Sequence, residues 1–179
     1  MHRGLARESE GSQVAEAALV LPLMFTLLLG IFWLGRAYNI YSTMNQAAHV
    51  GAQVAARSSC ATCGSSSLTG SQVATTYIAP VLQASGLDVN RVSAATPPAM
   101  CQCGVTNCSV PVSCDASGLG AVPSVCVQYN VDIGTSNYVP PTCGTVVSFQ
   151  YPFSLPLMFA PPSMQNITIR TQVASRVEQ

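Results

Sequence analysis

The sequence predicts an α+β protein, in which a long amino-terminal membrane-spanning helix continues as a stalk. The stalk packs on a small antiparallel sheet of about four strands with a disulfide-rich loop. Three observations carry this reading: an uncharged apolar run near the amino terminus, period-two alternation confined to the second half, and eight Cys that all follow the run.

The run extends from Ala17 to Gly35, bounded by Glu16 and Arg36. At 1.5 Å of rise per residue it makes about 28 Å of helix, close to the hydrocarbon thickness of a bilayer. A cleaved secretory signal is the competing reading, with Arg3 and Arg7 as its positive region. Secretory apolar cores usually span roughly 7–15 residues, so the length favours an uncleaved span. Pro22 removes one backbone donor inside the run, a defect membrane helices tolerate. Beyond Arg36, small and apolar residues recur at steps of three and four: Ala37, Ile40, Met44, Ala47, Ala48, Gly51, Val54 and Ala55. That period predicts an amphipathic stalk helix to residue 57, with a small-residue stripe that lets another backbone approach closely. Trp33, Tyr38 and Tyr41 flank the exit, where rings with a polar handle suit either the headgroup level or packing on the domain.

Residues 58–70, rich in Ser and Gly, read as a linker. The stretch SQVATTYIAPVLQASG then reads as a second helix, with Val73, Tyr77 and Val81 on one face and Gly86 as terminator. Pro80 predicts a kink or a restart within it. Four stretches alternate at period two: LDVNRVSA, VCVQYNVDI, TVVSFQYPF and NITIRTQVASRV. They are rich in the β-branched and aromatic residues of strands, and no crossover helix separates them, so an antiparallel meander is expected. A Pro-, Ser- and Gly-rich loop from Thr96 to Ser124 carries four Cys and needs a tie to be ordered.

Charged residues make up 8 % of the chain, seven Arg against seven acids with no Lys, so net charge is zero. No basic cluster exists to displace counterions from phosphates, which excludes nucleic acid as a partner. Cys60, Cys63, Cys101, Cys103, Cys108, Cys114, Cys126 and Cys143 are even in number and lie on one side of the span. They predict disulfides made outside the cytoplasm, with the amino terminus inside. Cys101 and Cys103 are too close in sequence to pair without strain. Cys60-x-x-Cys63 has thiol-oxidoreductase spacing but follows a helix end, where carbonyls raise a thiol's pKa, so a structural disulfide is expected. The second Cys group lacks the paired spacing of a zinc site. His2 and His49 have no nucleophile beside them, and no paired-carboxylate or phosphate-cradling motif occurs. No catalytic residue, metal or cofactor is therefore assigned.

Glu16 is favoured at the start of an apolar helix by its dipole alone, by about 0.3–1 kcal/mol. Gly11 lies five residues before it, and Gly-x-x-x-x-Glu ahead of an apolar run resembles the type IV prepilin processing signature. The larger stretch EGSQVAEAALVLPLMFTLLLGIFWLGRAYNIYSTMNQAAHVGAQVAAR resembles the TadE-like segment of tight-adherence (Tad, or Flp) pilus proteins. Ala17 departs from the Phe that often follows Glu in that family. The resemblance implies a pilin-like, non-enzymatic minor pseudopilin of the bacterial inner membrane with a periplasmic or surface-exposed domain. It implies a leader of residues 1–11, cleavage between Gly11 and Ser12, and Glu16 meeting a neighbour's new amino terminus during assembly. The implied partners are the membrane, other pilins and pseudopilins, platform proteins and the prepilin peptidase. The rival readings are a membrane-tethered binding or adhesion module acting through the 96–124 loop, and a thiol-redox envelope protein using Cys60 and Cys63.

Overall fold

A computed structural model describes residues 5–58, 68–104, 111–134, 142–154 and 166–177. These fall into two compact units, Met1–Asn39 and Ile40–Gln179. Helix α1 spans Leu5–Ser58. It starts before Ser12, where the apolar period begins, because extending a formed helix through Ala, Arg and Glu is far cheaper than nucleating one.

In the first unit, twelve large apolar side chains from Leu19 to Leu34 are all more than half exposed. In the second unit the carboxyl-terminal part of α1 is buried along one face: Ile40, Met44, Ala47, Ala48, Ala52, Ala55 and Ala56. Most of these belong to the expected stripe, and the element it admits is the chain's own second helical run. At Gly51 a Cβ would lie 2.8 Å from Ile78 Cδ1 and 3.4 Å from Val73 Cγ1.

That run comprises α2 (Gly70–Gln72), a π-helical stretch (Val73–Ile78) and α3 (Ala79–Ala84). Thr69 and Gln72 form a capping box at its start, with the Thr69 N–H donating to Gln72 Oε1 at 3.0 Å. Gly86, at φ +73°, closes it: its N–H donates to Gln83 and that of Leu87 to Leu82. The helical run continues through Pro80 without a restart. The widened π turn just before it loosens the helix where the proline ring would crowd the preceding carbonyl. The wider turn also moves the buried face to Val73, Ala74, Ile78 and Leu82, leaving Tyr77 and Val81 half-buried.

The sheet contains β1 (Ser93–Ala94), β2 (Cys126–Asp132), β3 (Cys143–Ser154) and β4 (Asn166–Arg176), all antiparallel. β2, β3 and β4 form the expected meander. β1 departs from it by pairing β3 instead of β2. β4 lines residues 144–154 of β3, and β2 and β1 occupy successive stretches of the other edge. Only two residues of LDVNRVSA are strand. Asp88 Oδ1 accepts from the Asn90 backbone N–H at 3.0 Å and its side-chain amide at 2.9 Å, holding a 3₁₀ turn over Val89–Arg91. A β-bulge interrupts β2 between Gln128 and Val131, with Asn130 at φ 52°.

β3 is buried on both faces from Gly144 to Phe149. On one face Phe149 and Val147 neighbour Thr171 and Val173 of β4, and the Thr171 hydroxyl donates to Asn45 of α1. On the other, buried Gln128 reaches the loop, its amide donating to the carbonyls of Pro98 (3.2 Å) and Val112. The helix α4 (Ala116–Leu119) packs so closely that a Cβ on Gly118 would lie 2.8 Å from the Val125 carbonyl oxygen. Backbone cannot yield as a side-chain tip can, so Gly118→Ala should cost about 1–3 kcal/mol. Gly120→Ala, whose nearest contact would be 3.9 Å away, is the neutral control. Thermal denaturation of the two full-length variants in detergent checks this.

Candidate functional site

Two regions carry chemistry that the fold does not need for its core: the apolar length of α1, and the cross-linked loop beside the start of the second helical run.

On α1, Gln13–Arg57 is long and apolar enough to cross a membrane, and none of its most apolar window is buried. A soluble core helix would hide that surface. Left in water, twelve such side chains would forgo on the order of tens of kcal/mol. Gly11 and Ser12 lie within the helix, and Glu16 is exposed at the edge of the apolar length. At its other end the Arg36 guanidinium sits 5.7 Å from the Trp33 ring, which meets Phe32 edge-on. Tyr38 is 72 % exposed and Tyr41 46 % exposed. Neither is packed away, which favours the headgroup reading of these rings.

Residues 11–53 match the family model described as TadE-like protein. Over these residues the chain is similar to that family. The match covers the apolar length, Glu16 and most of the stripe buried in the second unit. No curated protein and no solved structure matches the chain. The TadE-like segment, by its length and exposed apolar surface, fits a single-pass membrane anchor.

In the loop, disulfides join Cys103 to Cys143 and Cys114 to Cys126, and Cys101 is also disulfide-bonded. Cys101 and Cys103 therefore do not rely on each other. Cys60, Cys63 and Cys108 lie outside the described residues. No cysteine is free among the described residues, nor does any group of three or more His, Cys, Asp and Glu there suit a metal ion. His49 is exposed. The bonds fasten the loop to β3 and to the first residue of β2. Backbone bonds from Asp132 to Cys101 and from Cys103 to Asn130 lay residues 101–103 along the outer edge of β2.

One carboxylate organises the same region. Asp115 caps α4, its Oδ1 accepting from the Ser117 N–H at 2.8 Å and hydroxyl at 2.7 Å. Its Oδ2 accepts from the Gly70 N–H at 3.1 Å, in the first turn of α2. Ser117 Oγ accepts from the Ser71 N–H at 3.1 Å. Two helix starts thus share one anion. The Tyr129 hydroxyl closes the cluster by donating to the Leu68 carbonyl at 2.7 Å. The available signal was Asp-x-Ser, the pattern of an Asx turn, at residues 115–117.

Burial raises the Asp115 pKa, but the hydrogen bonds from Ser117, Gly70 and Gly118 outweigh it, and the net shift is downward. Burial, with the nearby Asp115 charge, pushes the Tyr129 hydroxyl up to about 12. Because the folded carboxyl is the stronger acid, its contribution is full above the unfolded value of about 4. It is lost as pH falls through the lower folded value. Asp115→Ala should cost about 1–2 kcal/mol at neutral pH. The gap from wild type should close in acid, as followed by thermal melts across the acid limb.

Proposed function

We propose that the chain is a membrane-anchored minor pseudopilin that takes part in initiating or assembling a Tad-type pilus. The observation that carries this is a lone carboxylate, Glu16, at the lip of an exposed apolar helix, inside a segment that matches the TadE-like family from Gly11 onward. Residues 1–11 are the leader, and prepilin peptidase cuts between Gly11 and Ser12. Ser12 becomes the first residue of the mature chain and Glu16 the fifth. An unpaired charge in the middle of a bilayer costs roughly 2.5–3.5 kcal/mol on insertion scales, so Glu16 gains by meeting a partner cation as helices assemble in lipid. The partner is the amino terminus of a neighbouring pilin or pseudopilin.

The role is structural, not enzymatic. The amino terminus before cleavage is cytoplasmic, the helix crosses the inner membrane once, and the domain with its disulfides folds in the periplasm. Platform proteins receive the processed chain. Cys60 and Cys63 form a structural pair in the linker between α1 and the second helical run.

Amino-terminal sequencing of the mature protein should return Ser12. An intact Met1 would reduce the chain to a plain anchor, and a start after Ala37 would make the apolar run a cleaved signal. Glu16→Ala should leave cleavage and the thermal midpoint unchanged while lowering the number of pili per cell. Normal piliation in that variant would make Glu16 a boundary residue only.

A further inference from the structure

We propose that the outer edge of β4 binds an acidic extended segment of a partner protein by adding it to the sheet as a further strand. Hydrogen bonds elsewhere in the sheet fix which β4 residues face outward. In β2 the Val125 N–H bonds the Gly118 carbonyl and the Val127 carbonyl accepts from Asp115, so residues 125 and 127 face away from β3. Cys126 and Gln128 therefore face β3, opposite Ser148 and Val146. The intervening β3 residues 145, 147 and 149 turn to β4, opposite Ser175, Val173 and Thr171. The Val177 N–H donating to Cys143 agrees with that parity. Asn166, Thr168, Arg170, Gln172, Ala174 and Arg176 are left with N–H and C=O directed outward.

All six are exposed, and among the described residues no backbone hydrogen bond other than those to β3 reaches them. A row of unmet donors and acceptors is a template for another strand. The six side chains share one sheet face, which places the Cα atoms of Arg170 and Arg176 about 20 Å apart along the strand. They pair across the ladder with Gln150 and Gly144, and neither meets a carboxylate among the described residues. β2 differs: residues 101–103 and Asp115 already bond to its outer edge.

Two cations without a carboxylate among the described residues, beside an open edge, select against basic segments and for carboxylates six residues apart on the incoming strand. The opposite face offers Ile167, 46 % exposed, and half-buried Ile169, so apolar residues alternating with the acids complete the match. This surface is independent of the pilus reading, since it involves neither Gly11 nor Glu16.

The test uses the full chain in detergent and two capped synthetic peptides, one alternating Glu with Val and Thr, the other with Lys in place of Glu. The Glu peptide should bind by fluorescence anisotropy and slow amide exchange at the six outward positions. Arg170→Glu with Arg176→Glu should weaken it about tenfold and transfer the preference to the Lys peptide. Gln172→Pro removes an outward N–H but no ladder bond to β3, and should abolish binding while β3 amides stay protected. If β3 protection is lost in that variant, the charge reversal decides alone. Equal affinity for both peptides, or unchanged binding by the charge-reversed protein, would overturn the proposal. So would β4 protection that needs no peptide and rises with protein concentration, which would identify a second copy as the occupant.

Discussion

A central strand whose two edges and two faces are all used constrains everything else in the second unit. β3 gives one edge to β4 and the other to β2 and β1, and from Gly144 to Phe149 both of its faces are buried. A sheet of this size cannot bury both faces of a strand against itself, so each needs a separate cover. The stalk part of α1 meets one face through Asn45 and Thr171. The other is covered by a loop with little regular structure, which must be held by Gln128 and by covalent bonds. The cysteines substitute for the second helical layer that a longer chain would use.

In the first unit the constraint is the solvent. Among the described residues nothing covers the apolar length of α1, and lipid or other helices in lipid would bury it. One chain thus holds a segment that fits a membrane anchor and a segment closed by disulfides.

How legible each element is depends on whether its cause is local. The membrane segment was legible because the absence of charge from Ala17 to Gly35 is itself the cause of its behaviour. The alternation of residues 145–153 and 166–177 survives as β3 and β4 because no side chain there competes for the backbone. LDVNRVSA alternates equally well, yet the Asp88 carboxylate takes the Asn90 N–H and turns the chain before Ser93. The face of the second helical run was misplaced because the Pro80 ring is relieved by a wider turn, which shifts every later side chain. Disulfide pairing was not legible because it depends on which strand lies beside the loop. In the candidate assembly segment, Gly11, Ser12 and Glu16 were singled out by spacing and family pattern, whereas Asp115 acts through Gly70, which lies 45 residues away in sequence.

The carboxylate shared by two helix starts also bears on how the domain opens. α4 follows the Cys114–Cys126 bond directly, and the second helical run begins from the same anion. If the second helical run pulls away, the Gly70 N–H loses Asp115 and the Ser71 N–H loses Ser117, whereas the Asp115–Ser117 bonds that cap α4 remain, so the dependence runs from the helix to the loop. Displacing the loop therefore uncaps a helix that begins 45 residues away in sequence.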